Sequence, residues 1–479
     1  MGKNNQEVEN IRLREEVKQL KKANKSLEKK LATANSKKQE LQKRTKKKES
    51  QIIELEQRTT RITLEPIKRH RYSELVARLG SLFYTRVGCG LRSVIEALTV
   101  INETFDGVLG KIPCYNTIGN WIKKYGLDVY NSSGQSLKDK DFAELTDESM
   151  MIGSEKLLLT LGIPSRHQGQ ALCHKDLDIL DMAVSTGWTE EAVEMQLKKA
   201  AEKVGHKPQY VISDNASIMN KGIRLSGIPH HRDISHTLGM YLERTYKEAD
   251  DFKAYIKDMA NVKFKHNMKK AAYLLPPTQR IIARFINLSN WVTWSHKMQE
   301  IYHTLSAEEK QIYSFIPANA SFIDELREVM CCIEAVESIC KHEGLSQSSV
   351  LKCQLHIRKT LAKGNQRMIK LACDVLSFLK SEVAMIESDQ DVRNNSSDII
   401  ESVFGTYKKR KSPNKLYGVT PFILFLPAHI QLLKDRDTKN FLFKERLERI
   451  RLKDINEWAS KKLSPNLVSM RNQTLKKVC

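Results

Sequence analysis

The sequence predicts a mixed α/β core interrupted by an all-α insertion, with a helical module and a coiled coil ahead of it. Three observations carry this. Apolar residues recur in heptads over 10–57. Between about 140 and 245, short apolar runs and amphipathic stretches follow the order strand, strand, strand, helix, strand, helix, strand. From 246 to 390 the period is helical throughout. The expected segments are 1–60, a basic coiled coil; 61–135, a helical module; 136–245, the first part of the core; 246–390, the insertion; 391–435, the rest of the core; and 436–479, a basic helical tail.

In the first segment Leu13, Leu20, Leu27, Ala34, Leu41, Lys48 and Leu55 fall at d, and Val17, Asn24, Leu31, Lys38, Thr45 and Ile52 at a. Leu at d with Asn24 at a suggests a parallel two-stranded coiled coil, because a buried Asn pair suits a dimer. Lys38, Thr45 and Lys48 weaken its second half, and a single solvated basic helix is the alternative. The expected assembly is a homodimer or a larger homo-oligomer. The run KRTKKKES at 43–50 could also lie along phosphates.

Residues 61–130 contain GLRSVIEALTVINETF and IPCYNTIGNWIKKYGL, two helices joined by a turn. Ile118, Trp121 and Ile122 form the apolar side of the second. Tyr115, Asn116, Asn120, Lys123 and Lys124 are then free to face outward. This is a helix-turn-helix pattern whose second helix would read a major groove. A plain packed helical hairpin gives the same signal.

In the core, FAELTDESMM, EKLLLTLGI and LDMAVSTG read as strands. TEEAVEMQLKKAAEKVG reads as a helix capped by Thr189. PQYVISDN is a strand, followed by a helix at about 216–225. HHRDISHT reads as a further strand, with a helix from Leu238. The insertion offers YKEADDFKAYIKDMANVKF, TQRIIARFINLSNWVTWSHKMQEIYHTL, ASFIDELREVMCCIEAVESICKHE, VLKCQLHIRKTLAK and QRMIKLACDVLSFLKSEVAMI as helices. SSDIIESVFGTYKKRKSP is a helix led by Ser396 or Ser397, and TPFILFLPAHIQLL is an apolar helix or strand.

The net charge of +22 implies a polyanionic partner, nucleic acid before an anionic membrane surface. No apolar run approaches the length of a membrane span, so no membrane partner is expected. The stretch MGKNNQEVEN lacks an apolar signal region. Gly2 is followed by Gln6, where a myristoylation signal has Ser or Thr. Nine scattered cysteines form no C-x-x-C pair. Reduced thiols in a cytoplasmic compartment are expected, not a zinc site or a disulfide framework.

Three acids could share a site although they are far apart in sequence. Asp147 lies on the first predicted strand, Asp214 ends YVISD, and Glu401 lies in DIIESVFGTYK. Strand alternation lets only one of Asp147 and Glu148 point inward, and Asp147 is assigned. Asp398, one turn earlier, competes with Glu401. Carboxylates suit Mg²⁺, which takes hard oxygen ligands. A pair of such ions about 4 Å apart can clamp both oxygens of an in-line phosphoryl displacement.

Order, element types and neighbours resemble a DDE transposase with an RNase H-like core. The resemblance covers roughly 140–245 and 390–430 directly, and the helical block matches an insertion that several such families place before the Glu helix. It implies that Asp147, Asp214 and Glu401 are catalytic and hold Mg²⁺ or Mn²⁺. It implies double-stranded DNA as partner, both the element's ends and a target, and, for a bacterial source, association with the nucleoid. Lys408 lies one heptad after Glu401, a spacing at which many insertion-sequence transposases contact the DNA end. Lys408 and Lys409 would hold that backbone. The Tyr and Arg of the same signature are replaced by Asn394 and Ser397. Asp233-Ile-Ser-His236 is similar to the D-x-x-H element of the hAT and Mutator-like superfamilies, which places His236 near the site in a supporting role. Trp291 and Trp294, one turn apart in NLSNWVTWSHK, either stack on an extruded base or pack in the core.

The expected activity is cleavage at terminal inverted repeats followed by strand transfer from the freed 3′-OH. A catalytically inactive or domesticated DNA-binding descendant, and another RNase H-like nuclease, are the alternatives.

Overall fold

The computed structural model describes residues 2–59, 66–149, 152–278, 285, 288–388, 390–411, 418–434, 442–464 and 467–476. The chain divides into two units, residues 1–66 with 70–76 and residues 67–69 with 77–479. In the first, α1 (Gly2–Thr59) is a single helix of 58 residues. Leu13, Val17, Leu20, Leu27, Leu31, Leu41 and Ile52 are all exposed along it. The side chain of Leu55 lies outside the described residues.

Next in sequence come α2 (Glu74–Leu82), α3 (Leu91–Thr104) and α4 (Tyr115–Ser132). The core follows as β1 (Phe142–Glu148), β2 (Lys156–Pro164), β3 (Asp178–Ser185), α5 (Glu190–Val204), β4 (Val211–Ser213), α6 (Ser217–Ser226), β5 (His230–Arg232) and α7 (Ile234–Tyr246). The five strands form one mixed sheet in the order β3-β2-β1-β4-β5. β1, β2 and β3 run antiparallel in turn, while β1, β4 and β5 are mutually parallel. Each expected strand of the core is present, and Met150 and Met151 lie outside the described residues.

Local chemistry sets the element ends. Thr189 caps α5 by accepting from Ala192 N, Glu190 and Glu191 occupy its first turn, and Gly205 closes it in the left-handed region. Val193, Leu197, Met219 and Ile223 bury α5 and α6 against Leu158 and Val211 of the sheet. HHRDISHT departs from expectation: the strand stops at Arg232 and the helix begins at Ile234, not Leu238. Asp233 is the cause, since its carboxylate caps the new helix.

The insertion comprises α8 (Asp250–His266), α9 (Leu288–Ile301), α10 (Ala307–Ile312), α11 (Phe315–Ala318), α12 (Ala320–Glu343), α13 (Gln347–Lys359) and α14 (Gln366–Val383). The early part of TQRIIARFIN lies mostly outside the described residues. One apolar core runs through these helices and continues into Ile234, Leu238 and Leu242 of α7. The chain returns to the sheet with α15 (Asp398–Lys408) and α16 (Phe425–Lys434), then α17 (Phe443–Arg449), α18 (Leu452–Lys462) and α19 (Leu467–Lys476).

α4 is buried along most of its length: Ile118, Trp121, Ile122, Tyr125, Leu127, Val129 and Tyr130 are all covered. It packs against the turn Pro421–Leu424 and against α16, α17 and α18. A Cβ at Gly126 would sit 1.8 Å from the carbonyl oxygen of Leu424, so the two backbones meet where only glycine fits. The expected module at 61–135 thus shares its packing with the C-terminal helices.

Candidate active site

The register of the parallel strands builds the site. Leu145 pairs with Ile212, so two residues further along each strand Asp147 and Asp214 come level, on the same side of the pleat. Ser213 pairs with Arg232, which brings Asp233 to the same edge. Three carboxylates therefore stand at the carboxyl ends of three adjacent parallel strands, where an open α/β sheet presents its ligand crevice. Glu148, on the alternate face of β1, pairs with Lys156 at 2.7 Å, and its charge still reaches Asp214.

α15 lies against β1 and brings Glu401 towards this edge. Its carboxylate accepts from Nε2 of His236 at 3.1 Å. Asp398 is occupied elsewhere, ion-paired with Lys341 of α12 and within 3.4 Å of the Ser235 hydroxyl. Between the two competitors, Glu401 is the one directed to the strand ends.

Asp233 explains how His236 and Glu401 meet. It is fully buried. One carboxylate oxygen accepts from His236 N at 2.7 Å, and the other accepts from Ser397 N at 2.6 Å and Ser397 Oγ at 3.0 Å. One side chain thus satisfies the starts of both α7 and α15, and so holds the helix of His236 beside the helix of Glu401. The D-x-x-H spacing is that of an N-cap and its third helical residue.

Electrostatics bind the group together. Burial, then the neighbouring charge of Asp214, pushes Asp147 up to about 8. Burial also raises Asp214. The hydrogen bond to Glu401, against the cost of burial, lifts His236 to about 9, and the same bond lowers Glu401. His236 is therefore a cation at neutral pH among Asp147, Asp214 and Glu401. Lys408 adds a second positive group: burial lowers its pKa, against the pull of Asp147 and Glu401. Lys409 is exposed.

A second polar network fixes the approach to α15. His231 is buried, with Nδ1 2.9 Å from Glu382 Oε2 and Nε2 3.1 Å from Arg393 Nη1. A guanidinium only donates, so Nε2 accepts and Nδ1–H donates to Glu382. Arg232 Nε also donates to Glu382, at 2.9 Å. The network ties β5 to α14 and to the segment leading into Glu401.

The remaining candidates lie elsewhere. Tyr115 and Asn116 are exposed in the first turn of α4, with the guanidinium of Arg92 5.8 Å from the Tyr115 ring. Asn120, Lys123 and Lys124 are half-buried, and burial lowers both lysines. Of the two readings of the tryptophans, packing is the one that has contacts in the structure. Trp291 belongs to the insertion core and donates to Pro277 O at 3.2 Å; Trp294 packs on the same core and donates to Leu274 O at 3.1 Å. Trp291 is buried and Trp294 half-buried.

The sequence did not point to Lys341, Glu382 or Arg393, and it offered Ser397 as a helix leader without its bond to Asp233. Only Ser397 had a local signal, as the residue before an acidic, helix-period run. Glu382 and Arg393 reach His231 across 151 and 162 residues and Lys341 reaches Asp398 across 57, which no local pattern reveals.

Among the described residues, no set of three His, Cys, Asp or Glu side chains is arranged to hold a metal ion. The chemistry of the donors nonetheless fits a hard divalent cation: crowded carboxylates, one of them held neutral by burial and like charge, which a cation would relieve. The chain matches no protein-family model and no curated protein.

Proposed function

We propose that this chain is a DDE-type transposase with an RNase H-like core, acting on double-stranded DNA. The observation that carries the reading is the register that sets Asp147 level with Asp214 at the ends of adjacent parallel strands, with Glu401 of α15 directed to the same edge. The strand order β3-β2-β1-β4-β5 and the net charge of +22 support it.

Asp147, Asp214 and Glu401 would hold Mg²⁺ or Mn²⁺. When bound, such ions supply Lewis acidity and a nucleophile at neutral pH. His236 orients Glu401 and carries positive charge beside it. Lys408 and Lys409 bind the phosphate backbone at the cut. Tyr115 and Asn116, exposed at the start of α4, contact DNA away from the chemistry. The product end, a 3′-OH, then attacks a target strand. Two copies joined through α1 would bring two ends together.

A second reading is favoured by one observation: the Glu401 carboxylate is already engaged by His236. A DNA-binding descendant that no longer cuts would have its acid committed in this way. Excision in cells separates the two. A marked element flanked by the chain's own terminal repeats should excise with the wild-type protein, and excision should fall at least about a hundredfold with Asp214→Asn, a loss like that of one electrostatic interaction with a transition state. Equal, background-level excision with both proteins, each shown to bind the repeats, would favour the second reading.

A further inference from the structure

We propose that the end of α8 is a wedge that enters double-stranded DNA, with Phe264 and Met268 between base pairs and Lys265, Lys269 and Lys270 on the flanking phosphates. The choice of DNA as the polyanion rests on the function proposed above.

α8 buries Phe252, Tyr255, Met259 and Val262 on its core face. Phe264 and Met268 fall off that stripe. They are 90% and 95% exposed, the two most exposed large apolar side chains among the described residues. A single exposed apolar residue is ordinary. Here two stand together at the end of α8, Phe264 in its last turn and Met268 two residues past His266, where the helix stops. Lys265, Lys269 and Lys270 are exposed around them. The sequence carries no acid between Asp258 and Glu300.

Helix-end electrostatics account for Lys263, Lys265 and His266 in the last turn, where cations complement the dipole. They do not account for Lys269 and Lys270 beyond the helix, nor for the bare apolar pair. An apolar protein surface would have to desolvate that ring of lysines. A duplex matches both features: phosphates outside, stacked bases inside. Apolar side chains that unstack a step while cations hold its backbone are a recurrent means of kinking DNA. Two residues are also few for insertion into a bilayer, which needs a long apolar face.

The test uses the full chain in EDTA, so that cleavage plays no part. The probe is a mixed-sequence duplex of about 40 base pairs with 2-aminopurine at alternate adenines, long enough to cover a single site. Wild-type protein should bind and raise the 2-aminopurine fluorescence as bases unstack. The double variant Phe264→Ala/Met268→Ala should bind about tenfold more weakly and abolish the rise, with the salt dependence unchanged. The triple variant Lys265→Gln/Lys269→Gln/Lys270→Gln should lower the log–log salt slope by about 2–3, roughly 0.9 for each phosphate left without its lysine. Unchanged Tm in each variant shows that the fold is intact. Affinity and fluorescence unaltered in the apolar variant would overturn the wedge. So would loss of binding to phosphatidylserine vesicles in that variant with DNA binding untouched. The wedge can stand while cleavage fails, and cleavage can stand while the wedge fails.

Discussion

Glu144 shows the balance of forces at a single residue. It is fully buried on β1, and neither carboxylate oxygen has a hydrogen-bond partner. Burial alone raises its pKa well above the ordinary carboxylate value. The folded chain therefore binds this proton more tightly than the unfolded one, whose Glu titrates near about 4.3. Stability from this group is complete below that pH and declines as pH rises towards the folded value. Glu144→Gln keeps the shape without the charge. It should match wild type near pH 4.5 and exceed it at pH 8, by about 1–3 kcal/mol. Thermal melts at the two pH values check this, and parallel curves for both proteins would refute it.

The acids of the edge were legible for a simple reason. A strand alternates faces, so Asp147 and Glu148 separate, and Asp214 ends an apolar run. The role of Asp233 was not legible as a cap, because reading HHRDISHT as one strand hid the helix that Ile234, Leu238, Tyr241 and Leu242 announce by period. The tryptophans left two readings open because one turn of spacing is shared by a core pair and a stacking pair.

Elements with strong amphipathic period were the clearest. ASFIDELREVMCCIEAVESICKHE is α12 residue for residue. α4 was less clear: its apolar side is nearly all round, because the Pro421–Leu424 turn and the C-terminal helices, remote in sequence, cover what a free reading helix would expose. α1 raises the opposite issue, a stripe whose described large apolar side chains, Leu13 to Ile52, are exposed. In a parallel, in-register pair its flanking positions would set Glu9 opposite Arg14, Glu16 opposite Lys21 and Arg44 opposite Glu49, without a like-charge pair in the same relation. A Leu20→Cys chain should therefore cross-link to a dimer on mild oxidation, since facing d positions lie within disulfide reach. The test is non-reducing electrophoresis against the unsubstituted chain. Monomer at micromolar concentration, or no cross-link beyond the native cysteines, would argue against the parallel pair.

At the scale of the whole molecule, charge and topology converge. In the function proposed, the partner of this +22 chain is a polyanion, and the parallel edge of its sheet gathers acids that a polyanion would avoid unless a cation mediates. The insertion, with its own core, anchors Glu382 to His231 and so steadies the return of the chain to Glu401. No helix among the described residues is long and apolar enough to cross a membrane. In the function proposed, the acids at this edge cut DNA with a divalent metal. Cleavage of labelled duplex carrying the element's terminal repeats, with and without Mg²⁺, beside Asp214→Asn, tests it most directly. Metal-dependent nicking at the repeat ends, lost in the variant while end binding survives, is the predicted result. End binding without cleavage by either protein, in Mg²⁺ and in Mn²⁺, would contradict it.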